Sequence, residues 1–322
     1  MSTASSPRVL GRLVDWLPTH PDRRVRVFAW LSFVAEVLII GTGGAVRLTG
    51  SGLGCPTWPR CTPDSLVNTP EMGIHGIIEF GNRTLTGLVG LLALAVVVLM
   101  WRMRKDRRGM FVLALIVLGG IVAQAVVGGI TVLTGLNPFI VGFHYIASVV
   151  LVTVCAAFLV LMYLPAGARE RVVPAWFAGL VHATTGVLAL TVVFGVLTTG
   201  AGPHSGDAAA VQRNGFDAEV LEHVHAWPGY ALFALTLVIV ALAWRLRLPV
   251  RRWATALLAV ELVQIAVGLY QARNGLPELA VGVHMVLAAL AAATMTVVVL
   301  RLKAPVATGS ADRRDAVAAA QR

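Results

Sequence analysis

Eight stretches of the chain are almost wholly apolar, at 27–46, 79–100, 111–134, 140–163, 175–198, 222–244, 253–273 and 280–300. Each is near the ~20 residues that a helix needs to cross the hydrocarbon core of a bilayer. Most polar residues fall in the segments between them and at the two ends. The third and fourth stretches could be merged into one span, but Gly135, Asn137 and Pro138 interrupt the helical pattern and divide them. The pattern therefore predicts an all-α integral membrane protein of eight transmembrane helices, with polar tails at 1–26 and 303–322.

Within this pattern a unit recurs. Gln124, Gly128, Gly135 and His144 return as Gln264, Gly268, Gly275 and His284, each 140 residues on. Both copies run from one apolar stretch through a Gly/Pro turn and place the His early in the next, as a duplicated helical hairpin would. Thr49, after the first span, has a counterpart 150 residues on in Thr199, after the fifth. Each repeat thus covers four helices, giving domains at 27–165 and 166–302.

Composition agrees: 57% of residues are hydrophobic, 13% are charged and the mean hydropathy is +0.79, outside the soluble globular range. The formal net charge of +10 is distributed by topology. Arg23, Arg24 and Arg26 precede the first span, five basic residues lie between Arg102 and Arg108, and further Arg clusters follow the fourth, sixth and eighth spans. The alternate segments hold few, chiefly Arg47, Arg60, Arg213 and Arg273. The positive-inside rule then puts both termini in the cytoplasm. Charges split into short flanks give no support to nucleic-acid binding. Residues 1–22 show no cleavable signal, so the first span is expected to insert intact.

The first outer loop holds Cys55 and Cys61 around Pro56, Trp58 and Pro59. A Pro-rich turn can bring two such cysteines within bonding distance, and an oxidising outer compartment would keep the bond; free thiols or a transient redox pair are the alternatives. Cys155, in mid-span, reads as packing. Glu36, also in mid-span, reads as a polar residue facing other helices.

Glu79 and Asn82 open the second span, and Glu222 and His225 open the sixth, each pair 143 residues apart across the repeat. Residues three apart share a helical face. Helices two, four, six and eight all start on the outer side, so Glu79, Asn82, His144, Glu222, His225 and His284 lie at similar depth. His225 and His284 can face each other across a four-helix core, a recurrent way of holding haem iron. His75, His204 and His223 read as solvated outer residues and His182 as packing. Zinc or copper would want a tighter cluster of His, Cys or carboxylate ligands than the spacing offers.

Thr49-Gly50-Ser51-Gly52, Cys55-Pro56-Thr57-Trp58-Pro59-Arg60-Cys61, Glu79 to Arg83, Gly200 to Asp207 and the duplicated His hairpins together resemble the haem A synthase family over nearly the whole chain. The resemblance implies two pseudo-symmetric four-helix bundles in a bacterial cell membrane, and an oxidoreductase that converts a methyl group of haem O to the formyl of haem A. Haem b would be the cofactor of the C-terminal bundle, with His225 and His284 as axial ligands. Haem O would be the substrate of the N-terminal one, with His144 facing its iron and Glu79 catalytic. Asn82 stands where the family has a second His; His144 is then the sole expected protein ligand of the substrate iron, with His75 as an alternative. Arg47, Arg83 and Arg273 are candidates to meet propionates. Implied partners are haem O synthase, the cytochrome oxidase assembly pathway and the lipid bilayer, with a homo-oligomer open. A di-haem electron carrier or a haem transporter are the competing functions; the first would be expected to keep both ligand pairs, and the second would not need Glu79.

Overall fold

A computed structural model describes residues 15–306 apart from 208 and 210. Residues 1–14 and 307–322 of the two expected tails lie outside that range. Eight helices long and apolar enough to cross a membrane are present among the described residues: α1 (Arg23–Leu48), α2 (Gly73–Leu99), α3 (Arg108–Leu133), α4 (Pro138–Met162), α5 (Ala175–Ala201), α6 (Ala218–Arg245), α7 (Arg251–Arg273) and α8 (Glu278–Leu300). The chain is a multi-pass, all-α membrane protein.

Local chemistry sets the helix ends. Asp22 caps α1 by accepting from the Val25 amide, and Asp217 does the same for α6 from Val220. Pro138 occupies the first turn of α4, where a missing N–H costs nothing, and Asn137 accepts from the Phe139 amide. Two starts differ from the apolar pattern. Helix α2 begins at Gly73 and α6 at Ala218, about one to two turns before Glu79 and Glu222. The reason is that a helix can carry polar residues such as His75 and Glu219 through the interfacial layer, where hydropathy no longer marks it. Glu79, Asn82 and His225 consequently lie beyond the first turn of their helices.

The helices pack in two groups. In the first, α1 packs on α2 and α4, and α3 on α2 and α4; in the second, α5 packs on α6 and α8, and α7 on α6 and α8. The groups meet through α4 and α1 against α8 and through α4 against α5. Helix α8 buries Ala280, Ala289, Ala291, Ala292 and Ala293, and such small side chains let helices approach closely where lipid supplies no hydrophobic drive. The outward faces are apolar, with Leu91, Val122 and Leu190 all exposed, as suits hydrocarbon solvent.

The basic side is tied by its own charges. Arg107 Nη2 donates to the Leu161 and Leu164 carbonyls at 3.1 and 2.9 Å, and Arg169 Nη2 donates to those of Leu300 and Lys303. Cations thus cap the C-terminal ends of α4 and α8, where the helix dipole favours them. Burial lowers the pKa of both guanidinium groups, which remain cationic at neutral pH. A short antiparallel ribbon, β1 (Arg169–Arg171) with β2 (Lys303–Pro305), joins the α4–α5 link to the segment after α8.

Candidate functional site

The duplicated hairpin turns have one backbone solution. Gly135 and Leu136 have φ of 60° and 64°, and Gly275 and Leu276 have φ of 72° and 57°. In each, the Leu amide reaches back five residues, from Leu136 to the Thr131 carbonyl at 2.8 Å and from Leu276 to that of Gln271 at 2.9 Å. Two successive left-handed residues reverse the chain tightly, and the glycine takes that conformation at least cost. The next helix is thereby set beside the last, with its histidine facing back.

The paired glycines have a packing reason. A Cβ on Gly128 would meet His144 Cε1 at 3.5 Å, and one on Gly268 would meet His284 Cε1 at 3.0 Å. The residue types 140 positions apart are therefore a ring and the flat place it lies against. A further case, absent from the repeat, is Gly195 on α5, whose Cβ would meet His225 Cε1 at 2.9 Å.

His225 and His284 face each other, with ring centroids 6.3 Å apart and planes at 78°. This is close to the spacing of two imidazoles that share one metal ion through bonds of about 2.0–2.1 Å. His225 Nδ1 lies 3.0 Å from the Thr191 carbonyl oxygen, which can only accept, so Nδ1 carries the proton and Nε2 keeps its lone pair. His284 Nδ1 is buried, with the Gln264 backbone beside the ring. The pair thus fits a haem iron held between two neutral imidazoles.

The first helical group, with Met285 of α8 and Ser205 and Gly206 of the second outer loop, lines a cavity of about 580 Å³, within the range of ligand sites. Glu36, Arg47, Glu79, Asn82, Arg83 and His144 contribute to its wall. Most other lining is aliphatic or glycine. Asn82 Oδ1 accepts from Thr42 Oγ1 at 2.8 Å, so the amide is anchored to α1. Gln124 Nε2 donates to the His144 carbonyl at 2.8 Å and to Ser148 Oγ at 2.5 Å, which fixes α3 against α4 beside the imidazole. His144 Nδ1 has no partner. Sequence reasoning left Gln124 with no task beyond the repeat; its bond to a backbone carbonyl across the helix pair supplies one.

Glu79 serves the wall and the loop above it. Its Oε1 pairs with Arg83 Nη2 at 2.5 Å, one turn along α2, while its Oε2 accepts from the Cys55 amide at 2.5 Å. Arg83 also donates to the carbonyls of Cys55, Thr57 and Arg60. Cys55 and Cys61 are joined as a disulfide, both fully buried. Trp58, between them, lies so close to Gly129 on α3 that a Cβ there would fall 2.4 Å from its ring. The second outer loop closes the other side: the Gly52 amide donates to the Gly206 carbonyl at 2.8 Å, and Arg47 donates to the His204 and Thr199 carbonyls.

The remaining candidates are elsewhere. His75 is exposed, with Nδ1 2.8 Å from Ser51 Oγ, and it does not line the cavity. His204 Nε2 meets the Leu276 carbonyl, and His223 Nδ1 its own-helix Glu219 carbonyl. Glu222, His182 and Arg273 are exposed. Of the three arginines proposed for propionates, Arg47 and Arg83 reach the cavity.

Residues 26–208, more than half of the chain, match the profile of the cytochrome oxidase assembly protein family. Over 141 residues the chain is 30% identical to the heme A synthase of Listeria welshimeri, covering 44% of this chain and 45% of that one. It is 28% identical over 141 residues to the heme A synthase of Alkalihalophilus pseudofirmus, covering 42% and 47%. With that of Lysinibacillus sphaericus it shares 33% over 132 residues, covering 40% and 42%. The chain thus spans a little under half the length of the curated relatives it matches.

Proposed function

Because the chain belongs to the family of cytochrome oxidase assembly proteins, we propose that it is a haem A synthase, oxidising a methyl group of haem O to the formyl of haem A. The reading rests chiefly on one arrangement: a large cavity walled by Glu79 and His144, in a molecule whose other half sets His225 and His284 6.3 Å apart. Residues 27–165 would form the substrate bundle and residues 166–302 the cofactor bundle, related by pseudo-symmetry. Both termini would lie in the cytoplasm of a bacterium, with haem O delivered by its synthase.

In this reading His144 faces the substrate iron from α4, its ring seated on Gly128 and its helix held by Gln124. Asn82, bonded to Thr42, has no imidazole to offer, which leaves His144 as the only side-chain ligand expected and suits a haem that must leave. Arg47 and Arg83 sit on the cavity wall where propionates would emerge. Haem b, held by His225 and His284, would supply an electron relay.

Converting a methyl to a formyl group takes up one oxygen atom, as from water, and releases four protons and four electrons; the electrons would leave through haem b to an external acceptor, and a proton acceptor is needed near the reacting edge. Glu79 is the acceptor we assign. Both of its oxygens are engaged, so taking a proton would weaken its bond to Arg83 or to the Cys55 amide. Proton uptake and the seating of the disulfide loop would then be linked. The loop, with Trp58 against Gly129, covers part of the cavity on its outer side.

The test is expression beside a source of haem O, followed by extraction and chromatography of the haems. Haem A should appear only with the intact protein. Its absence while haem O and folded protein are both present would leave an electron carrier or a transporter.

A further inference from the structure

Glu36 is left without a task by this account. It is 2% exposed, it lines the cavity, and its Oε1 has no hydrogen-bond partner. A buried polar oxygen left unpaired in a membrane interior is costly and marks a place where something polar is meant to arrive. Around it the wall is aliphatic, with Ile39, Ile40, Val89 and Ile121. Arg47 lies eleven residues nearer the outer end of α1, so Glu36 is about 16 Å deeper, close to the bilayer midplane.

That depth fixes which edge of a haem reaches it. With the anionic propionates at Arg47 and the outer mouth, the opposite edge of the macrocycle points inward. In haem O this edge carries a hydroxyl at the root of the isoprenoid tail. We propose that Glu36 is a specificity-determining residue whose carboxyl hydrogen-bonds this hydroxyl. The assignment rests on the cavity being the haem O site.

The chemistry supplies a reason for such a residue. One chain would hold two haems, so its substrate cavity must prefer haem O to protohaem, which has a vinyl group in place of the hydroxyl and tail. Apolar walls discriminate weakly between flat macrocycles. A buried group that hydrogen-bonds a hydroxyl rejects an analogue lacking it far more strongly, because the group is then left unpaired.

The test titrates purified full-length protein, already carrying haem b, with haem O and separately with protohaem, following each by difference spectra. The wild type should prefer haem O. Glu36→Leu should lose at least about tenfold of that preference through weaker haem O binding, as expected for one hydrogen bond to a carboxyl. Glu36→Gln, which keeps a hydrogen-bonding amide, should retain most of it. Glu36→Met, close to Glu in length, is read by the same criterion should Leu fail to accumulate. Unchanged preference in a folded apolar variant with normal haem b overturns the role of Glu36 alone. Failure of the wild type to bind haem O overturns the reading of the cavity and this role with it.

Discussion

Among single residues, Glu79 concentrates two tasks. A carboxylate that only tied down the loop would be replaceable, per folded molecule, without effect on chemistry. As the proton acceptor it would not be. Glu79→Gln is expected to keep the fold and haem b, since Arg83 still has three loop carbonyls to bond. Haem A formation should fall by about 10²-fold or more, the usual scale for a lost general base. Conversion at the normal rate, measured per haem b, would remove Glu79 from the mechanism. His284→Ala makes the complementary case. Two neutral imidazoles impose a strong axial field, so the wild type should show a six-coordinate low-spin haem b spectrum that this variant lacks. An unaltered spectrum would show that the pair facing at 6.3 Å is not the ligand set.

For the helices, the glycines beneath the imidazoles give a graded expectation. A methyl at Gly268 or Gly195 would stand 3.0 or 2.9 Å from a ring carbon, too close without moving the ring; at Gly128 the distance of 3.5 Å is ordinary contact. Gly268→Ala and Gly195→Ala should therefore lower haem b retention during purification, while Gly128→Ala, beneath His144 in the other group, should leave both haem b retention and haem O affinity unchanged. Equal retention in all three would mean that ring seating is not tight. The disulfide loop acts on a similar scale. Closing so short a loop contributes about 2 kcal/mol through lost chain entropy. In Cys55→Ser with Cys61→Ser, helical content should be unchanged while haem O affinity drops, because Trp58 and the Cys55 amide lose their fixed places. Haem O titration of the double variant checks this, and unchanged affinity would make the bond incidental to the site.

For the molecule as a whole, orientation is the open quantity. Arginines at 107 and 169 cap helix ends on one side, and the disulfide loop and the cavity mouth lie on the other. If the basic side is cytoplasmic, a single cysteine introduced at Lys105 in a Cys155→Ser background should react with an impermeant maleimide only in inverted vesicles. Labelling in intact cells would reverse the topology, and with it the side from which haem O propionates meet water.

Hydropathy runs carry over from sequence to structure because they depend on the solvent. A bilayer demands apolar helices of one length wherever they pack, so Ile121 or Leu190 declares its span without reference to neighbours. Hairpin turns are nearly as local, since Gly135 and Gly275 take their left-handed conformation within a few residues. The apolar pattern misplaced the starts of α2 and α6, because interfacial residues are neither apolar nor outside the helix. What only the tertiary structure decided are relations between residues far apart in the chain. Glu79 meeting the Cys55 amide, Trp58 lying on Gly129, Gly195 under His225 and Gln124 holding the His144 carbonyl all join different elements. Glu36 belongs with them: its position in α1 is plain in the sequence, but its burial beside a cavity with an oxygen unpaired follows from how four helices close around it.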